Sequence, residues 1–210
     1  MKNIFIKPIF LSILCLGLFT SCVNDDEFAI PEIKIPFYSE DFQNLDEIQH
    51  NTVLDLTGWT NFAEKGSVLW FERIFEEDGY AQFNTFGSLD SKNVSWLISP
   101  SLDISEYEDV KFSFQTAQNF VSSDANKLEV YVSSNFDGTN VLTAKWTKLN
   151  AKIADRNTKG YTFINSGEFS LNKYTNSKNI YIGFKATGSG TDTALDGLFQ
   201  VNNLYLYTIK

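Results

Sequence analysis

An all-β fold, built as a sandwich of two antiparallel sheets, is what this 210-residue sequence predicts. Three observations carry the prediction. Apolar and polar residues alternate with period two along several short segments, as half-buried strands require. Clusters of Ser, Asn, Asp and Gly separate those segments at short intervals. After the first 22 residues no apolar stripe of helical period and useful length occurs. The composition agrees, because 43% hydrophobic and 15% aromatic residues are enough to fill a core.

The chain opens on a different pattern. Met1 to Lys7 carries two positive charges, Ile9 to Phe19 is an almost unbroken apolar run, and Thr20 and Ser21 are small. That is the layout of a secretory signal. Eleven residues span only ~16 Å as a helix, about half a bilayer core, so a permanent membrane span is not expected. Leu18-Phe19-Thr20-Ser21-Cys22 resembles the lipobox of bacterial lipoproteins, with Phe19 where Leu is usual. The resemblance implies that residues 1–21 are a signal peptide and that Cys22 takes a diacylglycerol on its sulfur and becomes the acylated N-terminus. The alternative is an ordinary signal peptide with an incidental Cys. Several acyl chains together hold a protein stably on a membrane.

Cleavage changes the charge. Of 17 basic side chains, Lys2 and Lys7 leave, so 15 face 26 acidic ones and the formal charge moves from -9 to -11 over 189 residues. Such a chain is a poor nucleic-acid binder. Cys15 also leaves, so Cys22 has no partner for a disulfide and no Cys nucleophile remains. Asp25-Asp26-Glu27 follows. It resembles the surface-export signal of lipoproteins in one Gram-negative phylum, which implies an outer-membrane protein facing the cell exterior. The alternative is a solvated acidic spacer on a periplasm-facing lipoprotein. Residues 22–36, with Pro31 and Pro36, read as the lipidated Cys plus an extended tether.

Residues 37–210 form the sandwich domain. Strands are expected near Tyr38–Gln43, Gly58–Ala63, Val68–Phe71, Tyr80–Phe86 and Val94–Ile98. Val110, Phe112 and Phe114 then alternate with polar residues, as do Leu128, Val130 and Val132. Lys145–Leu149, Ile180–Lys185 and Phe199–Tyr207 complete the set. The last strand changes phase at Asn202-Asn203: Phe199 and Val201 share one phase, Leu204 and Leu206 the other. A phase flip within a strand predicts a bulge. Trp59, Trp70, Trp96 and Trp146 are expected to supply core area, each needing an acceptor for its N–H.

Ser95-Trp96-Leu97-Ile98-Ser99-Pro100-Ser101-Leu102-Asp103-Ile104 resembles the "WLISP-x-L-D" signature of the choice-of-anchor J and cleaved-adhesin domains, relatives of the MAM domain. Glu40-Asp41-Phe42, Gly58-Trp59, Val130-Tyr131-Val132-Ser133-Ser134, Trp146-Thr147-Lys148-Leu149 and Val201-Asn202-Asn203-Leu204 follow the family's order, over roughly residues 37–210. The resemblance implies a jelly-roll β-sandwich that serves as an accessory or adhesion-like module and is not an enzyme. It also implies one structural Ca²⁺ between the first and last strands, for which Glu40, Asp41, Asp196, Asn202 and Asn203 offer hard oxygen ligands. The alternative is a bulge whose Asn side chains bond local backbone.

Other candidates rest on residue chemistry. Tyr80, Tyr107, Phe120, Tyr131, Phe136 and Tyr161 are possible platforms for a glycan, or else ordinary cross-strand packing. Glu72, Glu76, Glu77 and Asp78 read as an exposed acidic turn, not as the facing carboxyl pair a glycosidase needs. His50 lies in a polar stretch and no nucleophile-elbow motif accompanies it. Asp192-Thr193-Ala194 resembles the bacterial O-glycosylation motif of the same phylum, with Thr193 as acceptor. The expected function is a surface lipoprotein whose non-catalytic module binds a glycan or a protein partner in adhesion or nutrient capture. A structural spacer or subunit of an outer-membrane complex is the alternative, and a glycoside hydrolase a weaker one.

Overall fold

The computed structural model describes residues 32–43 and 52–209. Cys22, the acidic cluster after it and His50 lie outside the described residues. The jelly-roll β-sandwich expected from the sequence is what forms. Its strands are β1 (Lys34–Glu40), β2 (Thr60–Lys65), β3 (Phe71–Phe75), β4 (Asp78–Asn84), β5 (Asn93–Ile98), β6 (Lys111–Asn119), β7 (Lys127–Ser133), β8 (Thr147–Lys148), β9 (Ile164–Asn165), β10 (Phe169–Ser170), β11 (Tyr181–Gly188) and β12 (Leu198–Ile209). One sheet runs β10-β6-β12-β4-β3, with β1 on β12 and β9 on β6; the other runs β2-β5-β11-β7-β8. All pairings are antiparallel.

Alternation decides which side chains meet between the sheets. Phe83, Phe112, Phe114, Phe184, Phe199 and Trp70 are fully buried there. Burial of such apolar area, at roughly 25 cal/mol per Å², is the main force holding the two sheets together. The smaller sheet is covered on its outer face as well, so β5 is buried along its whole length. There Trp96 packs on Trp146 and Tyr131, and Phe136 on Trp146 and Tyr181. Glu64 accepts the Trp96 Nε1–H at 2.8 Å and pairs with Lys185 at 2.7 Å. The Lys185 ammonium lies 4.9 Å from the centroid of the Trp96 ring.

Three departures from the sequence reading have local causes. Lys34–Pro36, expected as tether, belong to β1, because main-chain pairing with Tyr207–Ile209 extends the sheet to them. The strand expected at Val68–Phe71 begins at Phe71 instead. Trp70 is buried, and Asn61 brackets it: Asn61 Nδ2 donates to its carbonyl, and its N–H donates to Asn61 Oδ1. Asn61 thus engages both main-chain groups of Trp70, whose carbonyl also accepts the Leu54 N–H at 2.9 Å. The two-residue strands β9 and β10 have too few residues to show a period. The expected bulge is present: the pairing of β12 with β6 shifts register between Asn202 and Tyr205, and Asn203 has φ +50°.

Candidate functional site

The outward face of the larger sheet is set by the same alternation. Ala81, Phe83, Phe199 and Val201 face the core, so Tyr80, Gln82 and Gln200 face out. Arg73 stands opposite Tyr80 across the β3–β4 pair. Gln200 Nε2 donates to Gln82 Oε1 at 3.0 Å, and both amides are nearly buried. These side chains form a polar floor. Burial pushes the Tyr80 phenol up.

The segment between β8 and β9 returns over this floor. Phe163 meets the Tyr80 ring edge-on at 6.0 Å between centroids, and Tyr161 stands beside it. The result is a groove of two lobes that share Arg73 and Tyr161. One lobe, of about 680 Å³, runs to Phe75 and the β3–β4 turn. The other, of about 620 Å³, runs to Phe86, Phe120, Thr193 and Asp196. Both volumes are in the range of ligand sites.

The rim is aromatic and open. Phe75, Phe86, Phe120 and Tyr161 are 65%, 76%, 71% and 57% exposed. Phe120 and Tyr161 also have left-handed backbones, φ +60° and +58°. A bulky L-residue there costs roughly 1–2 kcal/mol. Buried Gln118 enforces both conformations. Its Oε1 accepts the Val121 N–H, its Nε2 donates to the Thr158 carbonyl, and its own carbonyl accepts the Tyr161 N–H.

Of the aromatics named from the sequence, Tyr80, Phe120 and Tyr161 reach the groove. Tyr107 instead stacks on Phe37 at 3.8 Å, while Tyr131 and Phe136 belong to the Trp96 cluster. Arg73, Phe75, Phe86 and Phe163 were not singled out. The phase of β3 identifies Arg73 and Phe75 once its true start is known. Phe86, expected as the end of a strand, lies beyond the end of β4 at Asn84, and Phe163 sits in a connection, where period two gives no signal. Thr193 is exposed in the β11–β12 loop. That loop is shaped by Ser189 Oγ, which accepts the N–H groups of Thr191 and Asp192.

Three of the four carboxylates lie at the β3–β4 turn, as the acidic-turn reading expects; Glu72 lies within β3 instead. Glu76 and Glu77 make the tight turn between β3 and β4, both at positive φ, and Asp78 opens β4. Glu72 lies in the opposite phase of β3 from Arg73.

The oxygen donors considered for calcium do not form one cluster. Asp196 lines the groove beyond the start of β12. Glu40 spends one oxygen on the Phe42 N–H and the other on Trp59 Nε1–H, and burial holds its carboxyl above the usual range. Asp41 accepts the Gln43 N–H. Asn202 Oδ1 accepts the Asn203 N–H at 2.7 Å, its Nδ2 donates to Asp78, and Asn203 Nδ2 donates to Gln115. Among the described residues no three His, Cys, Asp or Glu side chains converge. Only the Asn202 to Asn203 bond is the local contact of a bulge amide; the other donors are engaged elsewhere and Asp196 lies apart, so this donor set does not fit a calcium ion.

No family model and no curated protein matches the chain. Solved structures do. The K2 cleaved adhesin domain of Lys-gingipain is 11% identical with a TM-score of 0.51, over 82% of this chain and 98% of that one. The K3 domain of Lys-gingipain from Porphyromonas gingivalis is 15% identical with a TM-score of 0.50, over 83% and 100%. The CBM22-1 xylan-binding domain from Paenibacillus barcinonensis is 14% identical with a TM-score of 0.43, over 84% and 96%. At these identities the likeness to the two adhesin domains establishes the jelly-roll sandwich and nothing finer.

Proposed function

We propose that this chain is a non-catalytic glycan-binding module, with the sugar chain lying along the groove. One observation carries the reading: Phe120 and Tyr161 are exposed aromatics held at a backbone cost along the groove. Strain retained where it contributes nothing to the core points to a role in binding. Flat rings offer stacking faces to sugars, and the floor amides offer the few directed polar groups a ligand site needs. Glu40, the carboxyl that burial holds high, does not line the groove, which supports a non-catalytic module. The test is a glycan array probed with the full-length protein in detergent and with a Phe120→Ala/Tyr161→Ala variant. Binding that the variant loses at least tenfold supports the reading; silence, or binding the variant keeps, ends it.

The module is held on the outer membrane, in this proposal, through lipid on Cys22 and faces the exterior. The lipobox-like run and the acidic residues after Cys22 support this. Eleven residues separate Cys22 from β1, so the tether reaches at most about 40 Å. Protease treatment of intact cells should remove the domain. Its survival on whole cells would refute surface display, and a Cys22→Ser protein that still partitions into detergent would refute the lipid anchor. Thr193, placed at the groove's open end, is the proposed O-glycan acceptor; an intact-protein mass that Thr193→Ala lowers by the Thr-to-Ala difference alone would exclude it.

A further inference from the structure

The groove holds one feature its sugar-binding reading does not require. The chain has two arginines. Arg156 pairs with Asp124 at 3.1 Å. Arg73 stands where the two lobes meet, and among the described residues no carboxylate lies within ion-pair distance of it. In a protein with 26 acidic and 17 basic side chains, a half-buried guanidinium with no acidic partner among the described residues is unexpected. A guanidinium presents a planar fork of donors that suits a carboxylate or sulfate oxygen pair.

The surrounding charges narrow the ligand further. Glu76 and Asp78 line the lobe on one side of Arg73, and Asp196 lines the lobe on the other. Lining charge is therefore positive at the junction and negative in both directions from it. A chain with an anion on every sugar would place like charges in both lobes. A wholly neutral chain would leave the Arg73 fork without an ionic partner in a partly desolvated site.

We propose, resting on the glycan-binding reading above, that the groove selects a glycan with a single isolated anionic group, a uronate-type carboxylate or a sulfate ester, flanked by neutral sugars. The anionic group sits on Arg73 between Tyr80 and Tyr161. The neutral sugars on either side lie along the aromatic rim, in the lobes that Glu76, Asp78 and Asp196 make unfavourable for further anions. Attraction to one buried-side charge is screened by salt only partly, so the preference should weaken, without vanishing, as ionic strength rises.

The test uses matched sets on a glycan array: one backbone printed neutral, with one uronate, with one sulfate, and fully anionic. The full-length protein in detergent is compared with Arg73→Gln and Arg73→Lys. The expected result is at least tenfold preference for singly charged members over both neutral and fully anionic ones. Arg73→Gln should erase that preference while leaving weak binding to neutral members; Arg73→Lys should keep part of it. The uronate and sulfate members show which oxyanion is taken. Equal binding to neutral and singly charged members, or a preference that Arg73→Gln leaves intact, overturns the proposal and leaves the groove reading standing. Binding to no member, or binding unaffected by Phe120→Ala/Tyr161→Ala, overturns both.

Discussion

Phe120 and Tyr161 are the residues at which stability and binding part company. Asn tolerates the left-handed region far better than an aromatic does. Phe120→Asn and Tyr161→Asn should therefore each leave the fold as stable as before, or up to about 1 kcal/mol more stable, while weakening glycan binding. Urea denaturation beside array binding checks this; a large loss of stability would show that the rings support the core. Glu64 illustrates the opposite case, a residue whose role is internal. Burial raises its carboxyl, but hydrogen bonds from Lys185 and Trp96 outweigh this and hold it below the usual range. A depressed folded pKa contributes stability above the unfolded pKa and loses it as pH falls through the folded one. Glu64→Ala should cost ~1–3 kcal/mol at neutral pH, and the gap from the parent should close below the ordinary carboxylate range. A gap that is constant with pH would contradict the ion-pair assignment. The sequence shows that Trp96 needs an acceptor, but Glu64 is 32 residues away, and only strand pairing brings the two together.

The final strand is the element that the sequence describes best. Its phase flip marks the bulge, and Asn203 supplies the left-handed residue the bulge requires. Asn203→Val should destabilise the fold by about 1–3 kcal/mol, whereas Asn203→Gly should be nearly neutral. Equal effects of the two in chemical denaturation would show that the lost amide contacts, not the backbone, dominate. The same contacts bear on metal. Since Glu40 and Asn202 already accept N–H donors, melting curves in EDTA and in millimolar calcium should superimpose. A calcium-dependent rise in Tm would reveal a cation able to displace those bonds. β3 is the counter-example: bracketing of Trp70 by Asn61 delays its start, and with the wrong start Arg73 and Phe75 fall on no assigned face.

At the scale of the molecule, the two sheets differ in what covers their outer faces. An aromatic cluster under the β7–β8 connection closes the smaller sheet, and Trp96 of the family-like motif lies there as structure, not as a binding surface. The larger sheet is left with the open groove. Alternation identified which residues face outward on most strands, but not which outward face stays open. That choice depends on sheet order and on two long connections, neither of which has a period. Hence Tyr80, Phe120 and Tyr161 were legible as candidates, and their convergence was not.

Backbone amide shift mapping of the isotope-labelled full-length protein, titrated with the array glycan that binds most tightly, tests the groove most directly. The account expects saturable shifts on β3, β4 and the start of β12, and in the loops carrying Phe120 and Tyr161. Shifts confined to the smaller sheet or to β1, or no saturable shift, would contradict it.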